Sequence, residues 1–133
     1  MTLSIEERNT IIAYRIEKAV RTLKEAKDNA ALGNWSLAAN RLYYAVFYMA
    51  LAINLGNGNS SKTHNGTFSL FSKQYIATGL LSKEEGSLYR QLFTMRQTGD
   101  YDDLFDWEEE DVAPIVPKVE ALIEKLKSFC LAV

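Results

Sequence analysis

Cysteine and histidine are scarce in this sequence of 133 residues, and their scarcity excludes several kinds of chemistry. Cys130 is the one cysteine, so the chain can form no internal disulfide and offers no cysteine cluster for zinc. His64 is the one histidine, and the H-E-x-x-H motif is absent. Neither the G-x-x-x-x-G-K-[ST] phosphate loop nor the G-x-G-x-x-G fingerprint occurs. The sequence therefore predicts no P-loop hydrolysis, no metal site and no cofactor.

Long apolar runs are also missing, and the opening residues do not predict a secretory leader. No stretch of about 18 uncharged apolar residues occurs, and the opening MTLSIEERNT carries acidic residues where a signal peptide has positive charge. Hydrophobic residues make up 47% and charged residues 24% of the chain, as in soluble globular proteins. We therefore expect a single domain over residues 1–133, cytoplasmic and without membrane contact, large enough to bury a core unaided.

The acidic residues are unevenly distributed. The segment DYDDLFDWEEED, from Asp100 to Asp111, holds eight of the seventeen acidic residues. The other nine stand against fifteen Lys and Arg, so the rest of the chain carries a charge of +6. An anionic partner would avoid the acidic segment and tolerate the remainder. The simplest interpretation of the segment itself is a solvated loop that caps the next helix.

Helix signals dominate the sequence, and strand patterns are nearly absent. The first two predicted helices run from the Ser4/Glu7 capping box to Gly33 and from Asn34 to Gly56. The third runs from about Thr63 to Thr78, before Gly79, and the fourth from the Ser82/Glu85 capping box to Gly99. The fifth begins at Asp106, with Glu109 three residues later. Pro114 and Pro117 predict a late start or a bend in the last helix. We expect an all-α, up-and-down bundle of about five helices. Its predicted core includes Leu42, Ala45, Met49, Leu92 and Met95.

The second predicted helix contains LYYAVFYMALAI, which is apolar or aromatic on every side. Arg41, Tyr44 and Tyr48 follow one another at i, i+3 and i+7, so one row combines a guanidinium with two phenols. Such a row needs partners for its polar ends. It is either a tyrosine-rich core or dimer surface, or a place where Arg41 and Tyr44 bind a nucleotide.

Two further residues are candidates for chemistry. His64 begins the third predicted helix and could exchange protons near neutral pH, although a histidine there can equally serve packing or hydrogen bonding. Arg96 lies in the last turn of the fourth predicted helix, where the macrodipole favours a cation whatever its function. Because Tyr89 and Phe93 share its row, Arg96 follows an aromatic face, and its fork of donors could bind a phosphate.

Three blocks of the chain occur in this order: NRLYYAVFYMALA, KTHNGTFSLFSKQYIATGLL and YRQLFTMRQTGDYDD. Together they resemble the HEPN family of small helical nucleotide-binding domains. The resemblance extends from about Ile5 to Phe129. It implies an up-and-down helical bundle, usually a homodimer, often encoded beside a minimal nucleotidyltransferase in toxin and antitoxin pairs. Many members of the family are metal-independent ribonucleases.

The nucleases of that family resemble one another in an R-x(4–6)-H motif at a helix end, and both protomers contribute to one composite site. Arg96 matches the arginine, but Tyr101, Asp102 and Asp103 occupy the window of the histidine. A tyrosine with a pKa of about 10 is a poor general base for the 2′-hydroxyl of RNA. Since the family includes members modified on a tyrosine close to this motif, Tyr101 is a candidate for modification by a nucleotidyltransferase.

The first hypothesis is a homodimeric HEPN-like module that acts with a nucleotidyltransferase in a toxin–antitoxin pair and binds nucleotide or RNA. Its candidate site comprises a degenerate catalytic motif of Arg96, Asp100 and Tyr101 and the phosphate-binding residues Arg96, Arg41, Tyr44 and His64.

Two alternatives remain open at the level of sequence. One is an active metal-independent ribonuclease, in which Arg96 stabilises the transition state and Asp100, Asp102 or His64 transfers the proton. The other is a purely structural bundle. The missing motif histidine is the feature that separates the first hypothesis from the ribonuclease.

Overall fold

The chain folds into an all-α bundle, as the caps predict. The computed structural model describes residues 3–61, 63–101 and 106–131, with backbone alone for Tyr101 and Leu131, and these residues contain no strand. The helices are α1 (Ile5–Ala31), α2 (Trp35–Gly56), α3 (His64–Phe71), α4 (Lys83–Tyr101), the short α5 (Glu109–Val112) and α6 (Val116–Leu131). A π-helical turn, Ser72–Ile76, extends α3, and a 3₁₀ turn, Ala113–Ile115, joins α5 to α6.

Helix α2 lies at the centre of the bundle. It contacts α1, α3, α4, α5 and α6, as expected for a helix whose middle is apolar on every side. Leu42, Ala45 and Met49 are each 0% exposed. Leu92 and Met95 of α4 belong to the same buried cluster. The predicted core is therefore confirmed.

The first two helices begin and end close to their predicted boundaries. The Ser4 and Glu7 side chains each accept a backbone N–H from the other residue at 3.0 Å, which confirms the capping box. Gly33 ends α1 with φ of +79°, a conformation that glycine adopts without a Cβ penalty. Asn34 precedes α2, but its amide donates to Asn29 Oδ1 instead of capping the helix.

The third predicted helix is present but not uniform. Thr63 caps it, because its hydroxyl accepts the N–H of Gly66 at 2.9 Å. The α-helical part ends at Phe71, and the π turn replaces the predicted continuation. That turn places Tyr75 in stacked contact with Phe129 of α6, with ring centroids 4.9 Å apart.

Helix α4 begins as predicted but ends later. The Ser82/Glu85 capping box is confirmed by backbone-to-side-chain hydrogen bonds of 2.8 and 3.1 Å. The prediction that Gly99 ends the helix is wrong, since α4 runs to Tyr101. Gly99 does not adopt positive φ, the conformation with which glycine stops a helix. The ion pair between Arg96 and Asp100, one turn apart, spans the glycine and favours continued helix.

The predicted start of the last helix was also wrong. Asp106 is not the cap; its carboxylate accepts from the Ser36 hydroxyl at 3.2 Å. The cap lies two residues later, at Glu108, whose N–H donates to Asp111 Oδ2, and α5 begins at Glu109. Pro114 lies in the 3₁₀ turn and Pro117 in the first turn of α6, so the long helix starts late, at Val116, as the prolines predicted. None of the helices described is long and apolar enough to cross a membrane.

Replacing Leu92 by alanine should lower the free energy of unfolding by about 2–5 kcal/mol, because the side chain is completely buried and its loss leaves a cavity. Leu37→Ala is the matched control, since Leu37 is also helical but 49% exposed. We expect that control to stay within about 0.5 kcal/mol of the natural chain. Equal effects of the two variants in chemical denaturation would contradict the placement of α4 in the core.

Candidate functional site

A polar corner forms where the start of α3 and the end of α4 meet one flank of α2. We use the name polar corner for Tyr43 and Tyr44 of α2, His64 of α3, and Arg96 and Asp100 of α4. Tyr43 donates or accepts a hydrogen bond with His64 at 2.7 Å. The charges of Arg96 and Asp100 both act on His64. The fold thus brings His64 of α3 and the pair of Arg96 and Asp100 on α4, all from the predicted site, together with Tyr44.

Aromatic rings hold the His64 imidazole on two sides. The Phe47 ring stacks on it, with centroids 4.4 Å apart and planes inclined by 29°. Tyr44 meets it edge to face at 5.7 Å. Because Thr63 caps α3 immediately before His64, the backbone of the histidine is fixed as well. The imidazole is therefore held in one orientation, with part of its surface open to solvent.

The environment of His64 favours the neutral imidazole. Partial burial lowers its pKa below the ordinary value of 6.5, and the nearby positive charge of Arg96 lowers it further, whereas Asp100 acts in the opposite direction. Burial also raises the pKa of the Tyr43 phenol far above its usual range, although Arg96 partly opposes this. Both groups of the 2.7 Å hydrogen bond are therefore uncharged at neutral pH.

Arg96 is more enclosed than the sequence suggested. Its side chain is 14% exposed, and its Nε lies 2.9 Å from Oδ2 of Asp100, whose side chain is 34% exposed. The Nε–H is not directed at that carboxylate and has no well-aligned acceptor in the described ranges. The contact with Asp100 is therefore an ion pair without a well-aligned hydrogen bond from Nε. Burial lowers the pKa of Arg96, but interactions with Tyr44 and Asp100 outweigh burial and raise it. The guanidinium stays charged.

Arg41 of the predicted binding set lies apart from the corner. It faces the cleft between α1 and α2, where its guanidinium lies 3.6 Å from Glu25 and 5.1 Å from the centre of the Tyr44 ring. Two further hydrogen bonds join it to Asn40. Tyr44 is therefore the residue that connects Arg41 to the polar corner, and the guanidinium itself is engaged with neighbours.

Sequence reasoning missed Tyr43. It is 0% exposed, and its neighbour Tyr44 occupies the row that the i, i+3, i+7 spacing singled out. Tyr43 and Phe47 are four residues apart and so share a different face of α2, toward His64. That second aromatic pair was the available signal. The candidates Tyr101 and Asp102 lie outside the described side chains.

A cleft of about 440 Å³ adjoins the polar corner between α3, the π turn and α4. Arg90 lies over the Phe68 ring at 5.5 Å, and Lys73 lines the same cleft. Neither cation has a carboxylate within ion-pair distance among the residues described. In the cleft between α1 and α2, by contrast, Arg41 and Lys24 are both paired with carboxylates. Lys73 and Arg90 are therefore two cations beside the polar corner that remain free to meet an anion.

No metal centre accompanies these groups in the described part of the chain. Nowhere in those residues do three or more His, Cys, Asp or Glu side chains come together as ligands for an ion. The polar corner holds one histidine and one carboxylate, and the carboxylate is paired with Arg96. The chemistry to be explained is therefore that of a guanidinium, an imidazole and two phenols.

The fold and the polar corner place this chain in one class of protein: small all-α domains with an arginine, a histidine and tyrosines gathered at a helix junction. Within that class the chain belongs to the HEPN domain family, whose profile matches residues 12–129. The family resemblance seen in the three sequence blocks is thereby confirmed.

Proteins of three organisms illustrate this kinship. A "UPF0332 protein" of Thermotoga maritima is 34% identical over 125 residues, covering 94% of this chain and 95% of the relative. A "UPF0332 protein" of Archaeoglobus fulgidus is 31% identical over 88% of this chain and 93% of its own length. The "Putative toxin MJ0142" of Methanocaldococcus jannaschii is 27% identical over 88% of this chain and 80% of its own length.

Proposed function

We propose that this chain is a toxin-type HEPN module that binds RNA or a nucleotide by its phosphates at the polar corner. The observation that carries the proposal is the placement of a charged, largely enclosed Arg96 beside His64 at a partly open helix junction. The similarity to a protein named as a toxin supports the biological role. The proposal includes a single module over residues 1–133 and a cytoplasmic location.

A phosphate is the anion that this arrangement suits best. A guanidinium presents several donors in a fixed fork that matches phosphate oxygens, and a charge-assisted hydrogen bond is about twice as strong as a neutral one. Asp100 compensates the charge of Arg96 while the site is free, so an incoming phosphate must compete with this carboxylate. We therefore expect modest, salt-sensitive affinity.

The adjoining cleft favours a polynucleotide over a lone phosphate. Lys73 and Arg90 supply positive charge next to the corner, and the Phe68 and Phe93 rings line the same cleft. Cations that follow a backbone together with aromatic surfaces are typical of sites for single-stranded nucleic acid. A strand held at Arg96 could extend over this cleft.

Cleavage is not part of the first proposal, because the motif histidine is missing from α4. Tyr101 stands at the matching spacing, and a phenol of ordinary pKa is a poor base. We propose instead that Tyr101 is a site at which a minimal nucleotidyltransferase partner modifies the chain, as the family resemblance implies. Such a partner would complete a toxin–antitoxin pair.

Arg96→Ala should weaken binding of a short 2′-O-methyl RNA oligonucleotide by at least about tenfold at low salt, and the loss should shrink as salt rises, because the contact is electrostatic. Arg21→Ala is the matched control, since it removes the same charge from an exposed pair on α1. Fluorescence anisotropy between about 50 and 500 mM salt measures both.

The stability of the Arg96 variant decides how a loss of binding is interpreted. The Arg96–Asp100 pair is one turn apart and Asp100 is partly exposed, so its removal should cost only about 1 kcal/mol. An Arg96→Ala chain that is unfolded by circular dichroism would show the arginine to be a structural ion-pair residue. A folded variant that binds the oligonucleotide like the natural chain would refute a phosphate-binding role.

A metal-independent ribonuclease is the second candidate, and one specific observation favours it. The fold places His64 beside Arg96, so a histidine from α3 stands near the arginine of the motif although α4 lacks its own. In the natural chain we expect cleavage to be absent or very slow. Tyr101→His, which restores the family spacing on α4, should raise it, as measured on a fluorogenic RNA in the presence of EDTA. Robust cleavage by the natural chain would favour this candidate instead.

We also propose a homodimer, in which the corners of two copies face one composite site. The aromatic side chains of α2 and α4 that remain partly exposed, among them Tyr44, Tyr48 and Phe93, are candidates for its interface. Light scattering over micromolar concentrations should give twice the chain mass of 15.0 kDa. A constant mass of one chain would refute the dimer.

A further inference from the structure

We propose that Tyr43 holds His64 as the neutral Nε2–H tautomer, so that the imidazole offers the polar corner a hydrogen-bond donor and not a general base. The inference deepens the proposed function, because it assigns His64 a part in phosphate binding and argues against its part in cleavage. Tyr43 acts through His64 and is a positioning residue. The acceptor available to the one proton of the Tyr43 hydroxyl decides the tautomer.

The Tyr43 hydroxyl has one hydrogen-bond partner in the described part of the chain, Nδ1 of His64 at 2.7 Å. The residue is 0% exposed, so water does not readily replace that partner. If Nδ1 carried the proton and donated to Tyr43, the phenolic proton would be buried without an acceptor, at a cost of about 1–3 kcal/mol. If the phenol donates to Nδ1, both atoms are satisfied. The second arrangement is therefore favoured, and it places the imidazole proton on Nε2.

Most groups around His64 also favour the neutral imidazole. From α2, the Tyr43 and Tyr44 phenols and the apolar Phe47 ring face the imidazole. From α4, the Arg96 guanidinium opposes a second positive charge, and Asp100 offsets this in part while paired with Arg96. His64 also starts α3, where the helix macrodipole disfavours a cation. Protonating His64 would in addition break the hydrogen bond in which Nδ1 is the acceptor.

The consequence for ligands follows from the other ring nitrogen. Nε2 has no hydrogen-bond partner among the described residues, and the imidazole is partly exposed. An Nε2–H within the field of the Arg96 guanidinium gives the corner two kinds of donor and no free basic nitrogen. Such a pair binds a phosphate oxygen, whereas a base for the 2′-hydroxyl of RNA needs an unprotonated nitrogen facing the substrate. His64 could serve as that base only after its proton moved to Nδ1.

The single histidine makes the tautomer directly measurable. In the untagged, ¹⁵N-labelled chain at neutral pH, we expect long-range ¹H–¹⁵N spectra to show Nδ1 in the unprotonated range and Nε2 in the protonated range. The reversed pattern, or averaged shifts of the two nitrogens, would overturn the proposal. Because this measurement uses the protein alone, it is independent of whether RNA binds.

A variant tests the role assigned to Tyr43. Tyr43→Phe keeps the ring but removes the donor to Nδ1, so the pKa of His64 should move upward and the tautomers should mix. Tyr48→Phe is the matched control on α2, since Tyr48 makes no ring contact with His64, and it should change neither property. An unchanged His64 titration in a folded Tyr43→Phe chain would show that the hydroxyl does not control the imidazole.

The pH dependence of binding separates this inference from the function on which it rests. A 2′-O-methyl RNA oligonucleotide cannot be cleaved, and its phosphodiesters do not titrate near neutrality. If His64 is a neutral donor, the affinity of the protein for this oligonucleotide should vary less than about twofold from pH 6 to 8. If binding instead required the imidazolium, the affinity would fall with rising pH, approaching a tenfold loss per pH unit above the pKa of His64. Such a decline, abolished by His64→Gln, would overturn the inference but preserve phosphate binding. Absence of binding at every pH would refute the proposed function, while the spectra would still decide the tautomer.

Discussion

The whole arrangement depends on the need to cover α2 on every side. Its middle is apolar around the full circumference, and it buries residues such as Leu42, Tyr43 and Met49 completely. A helix of this kind is stable in water only when neighbours remove it from solvent, and α1, α3, α4, α5 and α6 all contact it. The same constraint brings the start of α3 and the end of α4 to one flank of α2. The polar corner is thus a by-product of covering an apolar helix.

Much of the fold could be predicted because its signals are local. The capping boxes at Ser4 and Ser82 need only residues three positions apart, and the core positions follow from the helical period. One error lies where a distant contact decides: Asp106 does not cap α5, because Ser36 of α2 engages it. The other error is local. Gly99 keeps a negative φ inside α4, and the pair of Arg96 and Asp100 that spans it, four residues apart, favours continued helix.

The site was predicted in part for the same reason. The family spacing pointed to Arg96, and His64 stood out as the one histidine. Nothing in the sequence indicates that the charge of Arg96 acts on the imidazole of His64, 32 positions away. Tyr43 was hidden because its importance comes from the partner of its hydroxyl, which exists only after α3 packs on α2. The role proposed for Tyr43 can be recognised only from the geometry of its hydrogen bond, whereas a charged residue such as Arg96 can be recognised as a candidate from the sequence.

The start of α4 has a bearing on its distant end. One oxygen of Glu85, Oε1, accepts both the Ser82 N–H at 2.8 Å and the Lys125 ammonium at 2.7 Å, so the helix cap and the tie to α6 share a single atom. Arg96 lies eleven residues further on, about 16 Å along the axis. A tilt of α4 by about 5° at Glu85 would displace the backbone at Arg96 by about 1.4 Å. If the polar corner binds phosphate as proposed, its alignment therefore depends in part on Lys125 of α6, which contacts the opposite end of α4.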